Sequence, residues 1–273
     1  MTTLKSARVG RVLTYAAAVF VSLWILFPVY LITLAAFSTF DAVYHYPKQL
    51  LPTEVSTASI NLFLDSGGIV GSLERSVEVA VMTLAIALAI GLPAGYALSR
   101  FTFRAANPFQ LLLVSTRAFP LIIIAVPLAV TYLRVGLDDT VYGVGLAHIA
   151  FTLQFAVLVS ASVFAGISYE LEEAAMTLGC TRFSAFRRIA LPLALPGVAA
   201  AALFVFVTSW NEVFAAAVLT LRNRTLPAQM LVALDLSPLP YRFAGGFFLM
   251  APSLLVILFI RKYLFSSWGQ VAR

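Results

Sequence analysis

Long apolar segments alternate with short polar ones along the whole chain, and they restrict the folds that are open to it. The first apolar segment covers residues 12–37, which is too long for the apolar core of a signal peptide. Charged residues make up only 11% of the sequence, whereas soluble domains contain about 25%. Inside lipid a backbone must satisfy its own hydrogen bonds, and apolar segments of this length do so as helices. The sequence therefore predicts an all-α polytopic membrane protein.

About six transmembrane helices are predicted from these segments. The third contains Pro120 and Pro127, and because proline removes a helical hydrogen bond, we expect this helix to be broken or bent. The fifth helix is expected to begin after Pro192 and Pro196. The other five predicted helices cover residues 12–37, 74–98, 108–133, 143–167 and 244–260.

The basic residues determine the predicted orientation, because cytoplasmic loops of membrane proteins carry an excess of lysine and arginine. External loops are predicted at residues 38–73, 134–142 and 221–243, and both termini are predicted to be cytoplasmic. The net charge of +6 then reflects this bias, and no nucleic-acid partner is expected. The topology places the following basic residues inside: Lys5, Arg8, Arg11, Arg100, Arg104, Arg182, Arg187, Arg188, Arg261, Lys262 and Arg273.

A polar loop at residues 168–192 separates the fourth and fifth predicted helices. Within it, the segment from Tyr169 to Leu178 lacks glycine and proline, follows Ser168 as a predicted N-cap, and ends at Gly179. This pattern predicts a short helix that ends with Gly179 in a left-handed conformation. Its apolar residues are spaced as one stripe that we expect to dock into a groove, namely Leu171, Ala174, Ala175 and Leu178.

The same loop carries a spaced motif. Glu173-Ala174-Ala175 is followed after three residues by Gly179 and, after nine more, by Ile189-x-Leu191-Pro192. This pattern resembles the coupling loop of ABC importer permeases, whose short helix docks into a cleft of a cytoplasmic ATPase subunit. The resemblance implies that Glu173, Ala174, Ala175 and Gly179 take part in that contact. Many members have aspartate where this chain has Leu178, so a contact made by that aspartate is absent or replaced.

Three further elements resemble those of the carbohydrate-uptake branch, which includes the maltose-type, binding-protein-dependent permeases. Tyr96-Ala97-Leu98-Ser99-Arg100-Phe101 ends the second predicted helix, Trp210-Asn211-Glu212 lies in the fifth, and Thr225-Leu226-Pro227 follows it. The resemblance covers nearly the full chain. It implies a permease subunit that moves a sugar or a related polyol across the membrane by alternating access.

The resemblance also implies the partners and the absence of a cofactor. The partners are a second homologous permease, two ATPase subunits that bind ATP and Mg, and an extracytoplasmic binding protein at the prokaryotic inner membrane. This chain is not expected to be an enzyme, because it has no Walker A loop, His-Glu-x-x-His motif or Gly-x-Ser-x-Gly motif. Residues 1–273 are expected to form one permease domain in the lipid, with a cytoplasmic N-terminus at 1–11 and a cytoplasmic tail at 263–273.

Polar residues inside the predicted helices are candidates for the translocation path. An arginine in the bilayer costs about 2.5–3.5 kcal/mol, so we expect Arg117 to face a water-filled cavity, a carboxylate or the helix bundle. An ion pair with Glu212 and hydrogen bonding between helices are the structural alternatives. Trp210 offers a surface on which a sugar ring can stack. The candidates are Arg117, Gln154, Thr208, Trp210, Asn211 and Glu212.

Other polar residues are expected to have structural roles. His148 has no second metal donor near it in sequence and is interpreted as a hydrogen-bonded packing residue. Asp138 and Asp139 are interpreted as solvated loop charges, and the single Cys180 excludes an internal disulfide.

Two alternatives to a sugar permease stay open. One is an ABC permease for an amino acid, a peptide or phosphate. The other is an ion-coupled secondary transporter in which Glu212 and Arg117 relay the ion, which explains the charges within the membrane but not the coupling loop.

Overall fold

The computed structural model describes residues 2–52, 54–102 and 104–271, and all regular structure in this part is helical. Arg273, one of the cations assigned to the inside, lies outside the described residues. A π-helical segment, Phe186–Ala190, follows the ninth helix directly. The α-helices are α1 (Thr2–Ala36), α2 (Phe40–Tyr44), α3 (Ala58–Leu64), α4 (Ile69–Arg100), α5 (Ala106–Thr116), α6 (Leu121–Val135), α7 (Val141–Ala165), α8 (Glu170–Thr177), α9 (Arg182–Ala185), α10 (Leu191–Trp210), α11 (Phe214–Leu219), α12 (Leu226–Ala233) and α13 (Leu239–Val271).

Within the described residues, five helical stretches are long and apolar enough to cross a membrane, and α5 with α6 makes a sixth span if the pair is counted as one. This confirms the prediction of about six transmembrane helices. The axes of α5 and α6 differ by 90°. Pro120 lies at this break in an extended conformation, with ψ at 132°. The predicted bend in the third helix is therefore confirmed, whereas Pro127 lies inside α6 without ending it.

Three predicted helix boundaries differ from the structure, one at the start of α8 and one at each end of the fifth span. Ser168 does not cap α8, because Tyr169 is the residue before the first turn and no side chain caps the helix there. The fifth span starts earlier than expected, since helical structure is continuous from Arg182 to Trp210 and includes Pro196. It also ends earlier, so Glu212 lies in the break between α10 and α11 instead of inside a helix.

The chain divides into two compact units, which are described separately. The first is formed by the chain up to Gly67 together with Leu234–Phe248. In it, the buried ring of Phe63 packs against Tyr241 and Phe248, with ring centroids 4.9 Å and 5.4 Å away. The second unit is formed by Gly68–Ala233 and the chain from Leu249 onward. It contains the loop motif and every candidate translocation residue.

Two glycines bring α4 and α7 into close contact in the second unit. A Cβ atom on Gly91 would lie 2.7 Å from the Cβ of Ala156, and one on Gly95 would lie 2.5 Å from the Cβ of Ser160. Interiors packed at this density transmit displacement because they have few voids to absorb it. Helices α4 and α7 therefore form one packed pair.

Candidate functional site

Helix α8 presents most of its apolar stripe to the outside. Leu171 is 48% exposed and Leu178 is 87% exposed, and Ala174 is exposed as well. Ala175 is the only one of the four predicted stripe residues that is buried. Glu173 is exposed next to them. Leu171, Ala174 and Leu178 therefore form an exposed apolar strip with a carboxylate beside it.

The inward side of α8 is held by a buried carboxylate that the sequence did not single out. The Glu172 side chain is 1% exposed and forms an ion pair with Arg100, whose side chain is 6% exposed. The Nε–H of Arg100 donates to Oε1 of Glu172 at 2.8 Å, and the hydroxyl of Tyr96 donates to Oε2. Tyr96 and Arg100 are four residues apart at the end of α4, so they share a helix face. That spacing is the sequence signal from which part of this cluster could have been found.

Gly179 ends α8 in the left-handed conformation that was predicted, with φ at +92°. The N–H of Cys180 donates to the carbonyl of Ala175 at 3.0 Å, and the N–H of Gly179 donates to the carbonyl of Met176 at 3.0 Å. These two bonds form a Schellman motif, which satisfies the last carbonyls of a helix. A Cβ on Gly179 would have no atom within 4 Å. The backbone angle, and not lack of space, is therefore what favours glycine here.

Gln154 and Arg117 lie near the bend between α5 and α6, in different environments. Gln154 is buried, and its Oε1 accepts a bond of 2.5 Å from the hydroxyl of Thr116, so it links α7 to α5. The Arg117 side chain is exposed, and its guanidinium lies 5.2 Å from the ring centre of Phe155. The ion pair considered between Arg117 and Glu212 is not formed. Glu212 pairs with His148 instead.

Trp210 and its neighbours are also placed differently from the expectation. Trp210 is buried, stacks on Phe206 and donates from Nε1 to the carbonyl of Leu249 at 2.8 Å, so in this conformation it offers no face to a sugar. Thr208 is half-buried, and the exposed Asn211 donates to the carbonyl of Val207 at 2.9 Å. Because α10 ends at Trp210, the polar face expected from Thr208, Asn211 and Glu212 on one continuous helix is not formed.

Glu212 stabilises the helix break that follows Trp210. Its two carboxylate oxygens accept bonds of 2.9 Å from the backbone amides of Ala215 and Ala216, in the first turn of α11. His148 Nε2 lies 3.2 Å from the same carboxylate, and His148 Nδ1 lies 2.9 Å from the hydroxyl of Ser209. His148 is thus the hydrogen-bonded packing residue that was predicted.

Asp139 joins two loops that the sequence placed on the external side. Its Oδ1 accepts bonds from the backbone amides of Leu221, Arg222 and Asn223 at 2.8, 3.0 and 2.9 Å. The interpretation of Asp139 as a solvated charge is therefore wrong. Burial raises the pKa of Asp139, but these three amides and the positive charge of Arg222 together lower it by more, so that its pKa lies below the ordinary value.

Comparison with known proteins gives concordant matches. Residues 3–268 match the family described as "binding-protein-dependent transport system inner membrane component". The chain is 27% identical to the diacetylchitobiose uptake system permease protein DasC of Streptomyces coelicolor, over 77% of this chain and 76% of that protein. It is 31% identical to the trehalose transport system permease protein SugB of Mycobacterium tuberculosis, over 68% of each.

The fold is also similar to that of a solved structure. One chain of a bacterial ABC transporter "involved in the import of the acidic polysaccharide alginate" matches with a TM-score of 0.76. The sequences are 22% identical, and the match covers 94% of this chain and 97% of that one. At this identity the match shows a common fold.

The amide cradle of Asp139 predicts a specific dependence of stability on pH. Because its pKa is lowered in the folded protein, Asp139 stabilises the fold fully above its unfolded pKa of about 3.9, and this stabilisation is lost as the pH falls through the folded pKa. We expect Asp139→Asn to lower the melting temperature of the detergent-solubilised protein at pH 6, with a difference that narrows below pH 4. Asp138→Asn, which leaves the three amide bonds in place, is the control. A difference in melting temperature between wild type and Asp139→Asn that does not change with pH would show that the charge of Asp139 does not stabilise the fold.

Proposed function

The chain belongs to the family of binding-protein-dependent transport system inner membrane components, and we propose that it is a membrane-spanning subunit of an ATP-driven importer for a sugar or a related polyol. It is a multi-pass membrane protein, and its family is one of permeases, which are the non-catalytic membrane subunits of ABC transporters. The sugar class is supported by relatives named for diacetylchitobiose and trehalose transport. These relatives favour the sugar class over permeases for amino acids, peptides or phosphate and over ion-coupled transporters.

The proposed assembly contains subunits that this chain needs for transport. A second homologous permease completes the path, two ATPase subunits bind ATP and Mg, and an extracytoplasmic binding protein delivers the sugar. The complex lies in the prokaryotic inner membrane with both termini of this chain in the cytoplasm. This chain binds no cofactor. Closure of the ATPase subunits on ATP rotates the two permeases as rigid bodies and opens the path to the outside.

The exposed side of α8 is the observation that supports coupling at this loop. Leu171, Ala174 and Leu178 present apolar surface on a short helix inside a polar loop. A helix of this kind binds by laying its apolar residues in a groove of the partner. Glu173 lies beside the strip and pairs with a basic residue of the ATPase cleft, which adds a charge-assisted contact. Gly179 ends the helix in a left-handed turn, which sets the length of the strip at about two turns.

A change of charge at Glu173 tests this docking. We expect Glu173→Lys to weaken binding of the ATPase subunits to the two permeases in nanodiscs by about tenfold or more, because a hydrogen bond to a charged group contributes about 1.5–3 kcal/mol. Glu173 is exposed, so the variant should fold. Glu54→Lys makes the same charge change at another exposed carboxylate, in a predicted external loop, and should leave the affinity unchanged. If wild type and Glu173→Lys bind the ATPase subunits with equal affinity, α8 is not part of the contact.

Arg117 is the residue that we place in the translocation path. It is a fully charged side chain at the 90° break of an apolar span, and lipid is an unfavourable environment for it. Its guanidinium rests on Phe155, and the Phe155 ring stacks on Phe204 with centroids 3.5 Å apart. The cation is thus held in place with its outer edge free for hydroxyl or acidic groups of the solute. Asn211 is the other predicted path residue with an exposed side chain.

Substitution of Arg117 distinguishes a role in the translocation path from a role in the contact with the second permease. We expect Arg117→Gln to lower sugar uptake by proteoliposomes by about tenfold, because a hydrogen bond to a charged group contributes about 1.5–3 kcal/mol. Assembly with the second permease should be unchanged. Uptake is measured with loaded binding protein over trehalose, diacetylchitobiose and alginate oligosaccharides. Arg134→Gln, at the exposed end of α6, is the control. Loss of assembly would show that Arg117 pairs with the second permease instead.

A further inference from the structure

We propose that Glu172 is the residue through which a movement of α8 reaches α4, so that two adjacent glutamates divide the work of the loop. Glu173 faces outward and docks, and Glu172 faces inward and transmits. This inference rests on the proposed function, because it presumes that an ATPase moves α8. Glu172 is a positioning residue, since it acts through Arg100 and Tyr96 and contacts no solute or nucleotide.

The contacts of Arg100 join three parts of the chain. One terminal nitrogen of its guanidinium lies 2.8 Å from Oε1 of Glu172, and the same nitrogen donates to the backbone carbonyl of Ile167 at 3.0 Å. Ile167 follows α7, Glu172 lies in α8, and Arg100 is the last residue of α4. A displacement of α8 therefore pulls on the end of α4 and on the end of α7 through one side chain.

Burial makes this connection stiff. Both charged side chains are nearly inaccessible, so water does not compensate either charge if the pair separates. Breaking a buried pair leaves an uncompensated charge, which is strongly unfavourable. The pair therefore moves as a unit with α8, unlike an exposed ion pair, which readily exchanges its partner for water.

Tyr96 connects the same pair to the aromatic residues around it. Its hydroxyl bonds to Glu172, and its ring lies against Phe186 and Phe164, with centroids 4.6 Å and 5.4 Å away. Phe186 begins the π-helical segment that leads into α10. Every segment that enters or leaves the loop thus contacts the end of α4.

The packed pair of α4 and α7 carries the movement further into the membrane. Gly91 and Gly95 leave no free space between these helices, so a shift of Arg100 along α4 displaces α7 as well. The competing route is the chain itself, through α9 and the π-helical segment into α10. These two routes predict different results when the ion pair is removed while the chain stays intact.

The experiment uses the full complex in nanodiscs and a spin-label distance as its readout. A label at Val70, exposed at the outer end of α4, is paired with a label on the external end of the second permease in a Cys180→Ser background. The distance is measured without nucleotide and with ATP, Mg and orthovanadate, so no solute is needed. Binding of the ATPase subunits is measured on the same samples.

The informative variant is Arg100→Gln together with Glu172→Gln, because it removes both charges and leaves neither one buried alone. We expect this variant to bind the ATPase subunits as tightly as the wild type does. The fraction of complexes whose label distance changes with ATP should fall by at least about fivefold, because coupling between two sites is usually at least that large. Tyr96→Phe, which removes only one donor, should give a smaller loss. Glu173→Gln should weaken ATPase binding but show the full shift once the ATPase is saturating.

The outcomes separate the link from the function on which it rests. Normal ATPase binding with a full ATP-dependent shift in the double variant would overturn the role of Glu172 and favour the route through α10. A wild-type complex that binds no ATPase, or that shows no shift with ATP, would overturn the proposed function together with the link. A double variant that no longer binds the ATPase would also overturn the division of work, because docking would then depend on the inward residue.

Discussion

The buried ion pair between Arg100 and Glu172 determines which side of α8 is available to other proteins. Charges removed from water must be paired, and here a carboxylate in α8 finds its partner at the end of α4. Once Glu172 is held inward, the geometry of a helix turns Glu173, Ala174 and Leu178 outward. The exposure of the apolar strip, and with it the proposed docking surface, therefore follows from one internal contact.

The features that depend on local rules could be predicted from the sequence. The number of spans follows from the length of the apolar segments, the bend at Pro120 from the missing amide, and the end of α8 from the conformational freedom of Gly179. Which face of α8 is buried could not be predicted in the same way. Helical periodicity shows which residues share a face, but the partner that turns Glu172 inward lies on another helix, more than 70 residues earlier in the chain.

The candidate translocation residues show a second limit of sequence reasoning. The fifth predicted span has neither glycine nor proline between Trp210 and Phe214, so nothing local indicates that α10 ends there. The break is instead stabilised by Glu212, which accepts bonds from two amides of α11 and pairs with His148. Trp210 donates a hydrogen bond to the carbonyl of Leu249, and Gln154 accepts one from the hydroxyl of Thr116. Only the tertiary structure reveals these contacts. The Arg117 side chain is exposed, and its guanidinium lies 5.2 Å from the ring centre of Phe155.

A cryo-EM structure of the nucleotide-free complex shows most directly how α8 meets the ATPase. We predict that Glu173, Ala174 and Leu178 lie within contact distance of an ATPase subunit while Glu172 stays paired with Arg100. This prediction would be contradicted if Glu172 were turned toward the ATPase, or if the outward strip of α8 faced solvent or lipid with the ATPase bound elsewhere.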